Sequence, residues 1–212
     1  NVTYTPAANY NGPDSFTFRV NDGAANSPSA TVSITVTAVN NAPTANAQTV
    51  STAEDTPRAI TLSGSDVEGS PLTYSIVTQP SHGTLSGTPP NVTYTPAANY
   101  NGPDNFTFKV NDGGLDSAPA TVSLTVTPVN DPPVAGNGNG SAASGQTVTL
   151  SPLSLASDPD GDPLTLVSVN ATGGTASIAS GNTIQFTAAS NFVGNASVTF
   201  TVSDSHGGQA SG

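Results

Sequence analysis

Apolar and polar positions alternate along most of the chain. FTFKV puts Phe106, Phe108 and Val110 on one face, and TVSLTV puts Val122, Leu124 and Val126 on one face. A period of two is the signature of a half-buried strand. Clusters of Gly, Pro and Asn separate these runs. Between residues 42 and 131 they predict short strands near Gln48–Ser51, Arg58–Leu62, Leu72–Val77, Thr84–Ser86, Val92–Thr95, Asn105–Asn111 and Thr121–Thr127. No segment sustains a 3.6-residue apolar period, and proline is too frequent for long helices.

The alternation is itself repeated. NVTYTPAANYNGPDSFTFRVNDG at Asn1 recurs as NVTYTPAANYNGPDNFTFKVNDG at Asn91, and the likeness continues through SATVSITVTAVNNAP and PATVSLTVTPVNDPP. A diverged copy, TIQFTAASNFVGNASVTFTVSDSHGG, begins at Thr183. SDVEGSPLTYS at Ser65 is matched by SDPDGDPLTLV at Ser157. This phase predicts the back half of a unit at 1–41, a complete unit at 42–131, and a diverged unit at 132–212 that lacks its last strand, as expected of a window on a longer array. Seven short strands in a unit of about 90 residues predict an all-β chain of tandem immunoglobulin-like β-sandwiches.

Composition narrows the partners. The 212 residues include 3 Lys+Arg against 14 Asp+Glu, a formal charge of -11, and no Cys. Nothing here neutralises a phosphate backbone, so nucleic acid is excluded as a partner, and so are disulfide scaffolds, zinc fingers and thiol catalysis. With 8% charged residues, the polar surface is Thr, Ser, Asn and Gly, which suits an extracellular wall better than a cytosolic enzyme. No apolar run approaches the roughly 18 residues of a membrane span, and no basic segment precedes an apolar one as in a signal peptide.

The carboxylates are not evenly spread. Each unit has an acidic turn, Asp66-Val67-Glu68 or Asp158-Pro159-Asp160-Gly161-Asp162, and a later turn Asp at 22, 112 or 204; Asn130 and Asp131 stand in the linker. Alternate residues of such segments can aim several oxygens at one point, and hard cations take six to eight oxygens. Two carboxylates about 4 Å apart repel by roughly 1 kcal/mol in water and about 4 at an effective dielectric near 20. Asp131, Asp158, Asp160 and Asp204 converging on one junction would therefore splay it open unless Ca2+ turned the repulsion into attraction. The other reading of DPDGD is an ordinary Asp/Gly/Pro turn with solvated carboxylates; its recurrence beside a linker and a second Asp favours the ion.

These segments resemble bacterial cadherin-like tandem repeats of large surface adhesins. SDPDGDPLTL and SDVEGSPLTYS resemble the cadherin calcium motif, VNDGG its Asp-Gly-Gly turn, VNDPP its Asn-Asp linker, and VSTAEDTPRAITL its first-strand motif, whose Glu reaches the following junction. The resemblance implies one junction of Glu54, Asn130, Asp131, Asp158, Asp160 and Asp204, with Asp162 beside them, and an earlier one of Asn40, Asn41, Asp66, Glu68 and Asp112. Asn41 replaces the linker Asp, Ser70 stands where the third unit has Asp162, and Ser144 stands near the position of Glu54. The first junction is therefore expected to bind calcium more weakly, and affinities of about 0.1 to 1 mM are expected of extracellular modules.

Other residues carry less. His82 and His206 lie in Gly-rich turns without a partner nucleophile. Tyr4, Tyr10, Tyr94 and Tyr100 repeat with the unit, as core or corner residues do. Asn91, Asn170 and Asn195 head Asn-x-Ser/Thr sequences that matter only in a eukaryotic secretory route. The pair Asp66/Glu68 is no hydrolytic site, since glycoside hydrolysis needs carboxylates flanking a cleft. The expected function is a non-enzymatic structural stalk, extracellular or on the bacterial cell surface, stiffened by calcium, whose partners are the neighbouring repeats of the same chain. The alternative is a subunit of an extracellular filament in which other copies complete the sandwich by strand exchange.

Overall fold

The predicted alternation becomes paired strands throughout the computed structural model, which describes residues 1–212. At the start, β1 (Gly12–Phe18) and β2 (Ala30–Val36) pair antiparallel, Gly12 opposite Val36 and Phe18 opposite Ala30. Nine strands follow: β3 (Thr44–Ala45), β4 (Gln48–Ala53), β5 (Arg58–Thr61), β6 (Gly64–Ser65), β7 (Thr73–Thr78), β8 (Gly83–Thr88), β9 (Asn91–Pro96), β10 (Gly102–Asn111) and β11 (Ala120–Thr127). They form sheets of order β4-β11-β10-β7 and β5-β9-β8, with β3 and β6 as a separate pair. All seven strands expected in this stretch are present, with ends displaced by at most three residues.

The remaining strands follow the same plan without a counterpart of β4: β12 (Val134–Ala135), β13 (Thr147–Leu150), β14 (Ala156–Ser157), β15 (Thr165–Thr172), β16 (Gly174–Ala179), β17 (Thr183–Ala188), β18 (Ser197–Ser203) and β19 (Gln209–Ser211). Their sheets are β13-β17-β16, β15-β18-β19 and the pair β12-β14. One 3-10 turn, Pro152–Leu155, precedes β14. The chain is thus all-β, built as tandem immunoglobulin/cadherin-like β-sandwiches.

Backbone proximity groups the residues into two units, one of Asn1–Val50, Pro57–Thr95 and Pro103–Thr125, the other of Ser51–Thr56, Pro96–Gly102 and Val126–Gly212. In the first, the inward positions of β10 supply Phe106, Phe108 and Val110, each wholly buried. Val122 and Leu124 of β11 and Ile60, Leu62, Val92 and Tyr94 from the opposite sheet complete the core. Each such side chain contributes about 1.5–3 kcal/mol by leaving water. In the second, Leu166, Ile184, Phe200 and Val202 make the core, flanked by Leu150, Leu153, Leu164 and Val198. The acidic turns lie at strand ends, outside both cores, where backbone direction changes and side-chain oxygens can gather.

Candidate metal centre

Within the second unit, the Asp158–Asp162 turn is wound by its first residue. Asp158 Oδ1 accepts hydrogen bonds from the amides of Asp160 (3.0 Å) and Asp162 (3.1 Å), while the Gly161 amide donates to the Asp158 carbonyl at 3.2 Å. Gly161 takes φ +79°, a left-handed conformation that glycine adopts without steric cost. The winding gathers Asp158, Asp160 and Asp162, whose carboxylate oxygens lie within 4.8 Å of one another. Asp160 then reaches the linker, its Oδ2 accepting the Asp131 amide at 2.7 Å.

Glu54 follows β4 and is 2% exposed. Its amide donates to the Thr127 carbonyl (2.9 Å) and its Oε1 accepts the Val129 amide (2.6 Å), which aims the carboxylate along the linker. Glu54, Asp131 and Asp160 also bring carboxylate oxygens within 4.8 Å of one another. Buried oxygens rarely lack partners, yet Glu54 Oε2, Asp131 Oδ2 and Asp158 Oδ2 are all buried and unpartnered. The Asp131 carboxyl is pushed above the usual carboxylate range by burial first, then by the charges of Asp55, Asp160, Glu54 and Asp158. The donor set, all hard oxygens and mostly anionic, fits a calcium ion.

Asp204 sits beside this cluster as a satisfied carboxylate, 5% exposed. Asn130 donates Nδ2–H to its Oδ2 at 3.0 Å, and the amides of His206 and Gly208 donate to its Oδ1, each at 2.8 Å. These donors, Asn130 foremost, hold it below the usual range. A Cβ at Gly208 would fall 2.1 Å from Asp204 Oδ2, so glycine is what lets the loop close on it. His206 Nδ1 lies 2.7 Å from Asp162 Oδ2. The sequence offered no signal for that pair, which joins residues 44 apart. Asp55 was missed too; it takes φ +54° and accepts the Asn99 amide at 3.2 Å.

The earlier set lies within the first unit and keeps the same hydrogen-bond framework with different side chains. Asn40 Nδ2 donates to Asp112 Oδ2 at 2.9 Å, Asp66 Oδ1 accepts the Ser70 amide at 2.9 Å, and Glu68 accepts both the backbone amide (3.3 Å) and Nδ2 (2.5 Å) of Asn41. Asp66, Glu68 and Asp112 are not among the carboxylate triplets that converge within 4.8 Å. Asp112 is held low by the Leu115 and Gly114 amides and by Asn40, and the Asp22 carboxylate accepts the corresponding Ala24 and Ala25 amides.

The repeated tyrosines serve structure. Tyr94 is wholly buried and donates to Asp104 Oδ2 at 2.9 Å; Tyr4 donates to Asp14 at 2.6 Å and Tyr10 to the Pro13 carbonyl at 2.5 Å. No helix is long and apolar enough to cross a membrane.

The fold defines a class, tandem immunoglobulin/cadherin-like β-sandwich repeats. Within it, the chain belongs to the bacterial Ig domain family, whose family model matches residues 40–125 and 130–212, while that of the cadherin-like domain matches residues 1–37. Modules of both kinds are adhesion-type structural repeats. Integrin beta-like protein A of Dictyostelium discoideum is 36% identical over 122 residues, covering 50% of this chain and 6% of that protein. Integrin beta-like protein E of the same organism is 48% identical over 67 residues, covering 31% of this chain and 3% of that protein. The chain thus spans a small fraction of the length of these relatives. Among solved structures, the protocadherin gamma B4 extracellular domain superposes with TM-score 0.51 at 21% identity, over 95% of this chain and 38% of that one. Protocadherin gamma B7 extracellular domains 1–4 give 0.51 at 14%, over 95% and 56%. At such identities the likeness is one of fold.

Proposed function

We propose that this chain is a non-enzymatic extracellular spacer of a large bacterial surface or secreted adhesin, in which calcium stiffens the linker at Asn130–Asp131. In this reading residues 42–131 are one repeat and 132–212 the next, with 1–41 the back half of another. The observation that carries it is the trio of buried, unpartnered oxygens on Glu54, Asp131 and Asp158. Uncompensated anionic oxygens buried along one linker are costly unless a cation meets them.

Glu54, Asp131, Asp158, Asp160 and Asp162 would hold the ion, with Asp204 and Asn130 fixing the linker beside it. When bound, calcium supplies the positive charge that the 3 Lys+Arg of the chain do not. Glu54 belongs to one repeat and the Asp158–Asp162 turn to the next, so their joint engagement would limit bending at the linker. Near-identical copies suit a spacer, which needs repetition and not a unique ligand site. Small-angle scattering with calcium and with chelator tests the reading. The expected result is a longer, narrower particle with calcium; identical profiles would sink the stiffening.

A further inference from the structure

We infer that the Asn40–Asn41 linker is closed by a side-chain amide where the Asn130–Asp131 linker uses a metal ion, so that the two acidic sites of one chain differ in kind. The inference rests on the calcium reading of the Asp131 site and deepens it.

The two sites share a framework. Asn40 donates Nδ2–H to Asp112 at 2.9 Å as Asn130 does to Asp204 at 3.0 Å. The amide of residue 41 donates to Glu68 at 3.3 Å as that of residue 131 does to Asp160 at 2.7 Å. Asp66 Oδ1 accepts the amide of Ser70 as Asp158 Oδ1 accepts that of Asp162. With the backbone so alike, the side chains decide the outcome.

At position 131 a carboxylate faces Glu54 and Asp160 with no proton to offer, and its Oδ2 is left without a partner. At position 41 an amide donates Nδ2–H to Glu68 Oε1 at 2.5 Å. The opposite amide orientation would set the Asn41 carbonyl oxygen against the carboxylate, so the charge of Glu68 fixes which end donates. Asn41 thus gives Glu68 two donors, one backbone and one side-chain. Position 70 is Ser where position 162 is Asp, which removes a further negative charge. Apart from Glu54 Oε2, whose counterpart one repeat earlier would precede residue 1, the buried unpartnered oxygens are Asp66 Oδ2 at the earlier site and Asp131 Oδ2 and Asp158 Oδ2 at the later. A hard cation needs six to eight oxygen ligands, and at the earlier site both Glu68 oxygens already accept hydrogen bonds from Asn41.

The test uses the full 212-residue chain titrated with calcium alone, as wild type, Asn41→Asp, Asp131→Asn and Asn41→Ala. Calorimetry measures uptake, and backbone amide resonances locate it. In the wild type, the amides of residues 129–131 and 158–162 should shift while those of 41, 66–70 and 112–115 stay in place. Asp131→Asn should weaken uptake by about tenfold or more, and Asn41→Asp should create new uptake reported by residues 66–70. Wild-type shifts at Asn41 and Ser70 at the same calcium concentration as at Asp131 and Asp162 would overturn the inference, as would an Asn41→Asp chain with no added uptake. If calcium moves no amide anywhere, the calcium reading of the later site fails. The amide closure is then judged by hydrogen exchange in chelator, where Asn41→Ala must lower protection of the residue 41 amide; unchanged protection removes it as well.

Discussion

Asp104 is a carboxylate 6% exposed in the first unit, and four donors close on it. The amides of Ser81, His82 and Asn105 and the Tyr94 hydroxyl all donate, at 2.8–3.0 Å. Burial alone raises its pKa, but those donors together outweigh the desolvation and hold it below the usual range. In the diverged repeat, 92 residues on, Phe186 stands at the place of Tyr94 and Ala196 at that of Asp104. Donor and acceptor are lost together, so no buried group is orphaned. Asp104→Ala should therefore cost on the order of 3 kcal/mol, Tyr94→Phe about 1, and the double variant less than their sum, as a urea-unfolding cycle would measure. The sign of the pH dependence follows from the lowered pKa. Stability from Asp104 is fully present above the unfolded value near about 3.9 and is lost as pH falls through the lower folded value. The gap in melting temperature between wild type and Asp104→Asn should accordingly shrink below about pH 4; a constant gap would show that the charge is not what the donors stabilise.

Strands packed this tightly need glycine where an aromatic ring lies against the neighbouring strand. A Cβ at Gly83 of β8 would sit 2.4 Å from the Tyr94 ring, and one at Gly174 of β16 would sit 2.9 Å from the Phe186 ring and 2.2 Å from the Thr187 carbonyl oxygen. Gly174→Ala should cost about 1–3 kcal/mol or more through overpacking, read from the denaturation midpoint. The burial of β10 gives a second case. Phe108 is wholly buried. Phe108→Ala should cost about 3–5 kcal/mol, read from the same midpoint. Such elements differ in how far a sequence discloses them. In β10 and β11, Phe106 to Val110 and Val122 to Val126 announce both strand and inner face through their period. The pairs β3-β6 and β12-β14 hold two residues per strand, too few for any period. Gly64 enters β6 because only hydrogen fits there; a Cβ would be 2.8 Å from the Thr44 carbonyl oxygen.

At the scale of the whole molecule the question is how a chain of charge -11 keeps its carboxylates together. Lys109 pairs with Asp116, and His206 Nδ1 lies against Asp162, both with partly exposed side chains. Surface pairs of this kind contribute little, and neither touches Glu54, Asp131 or Asp158. The sequence pointed to this cluster because DPDGD recurs beside a linker, whereas His206 and Asp55 were silent because folding, not spacing, brings them near. A crossover in stability follows. Without metal, Asp131→Asn removes a carboxylate that burial and four neighbouring charges oppose, so in chelator the variant should melt above the wild type. With calcium the order should reverse. An ion at about 100 times its Kd adds about 2.7 kcal/mol to the state that binds it, and the variant loses most of that increment. Added monovalent salt should raise the metal-free wild type toward the variant by screening the same repulsion. Melting curves of both chains in chelator, in chelator with salt, and in calcium measure all three differences. If Asp131→Asn is the less stable chain in every condition, Asp131 is a structural hydrogen-bonding residue and the repulsion assigned to it is not there to be relieved.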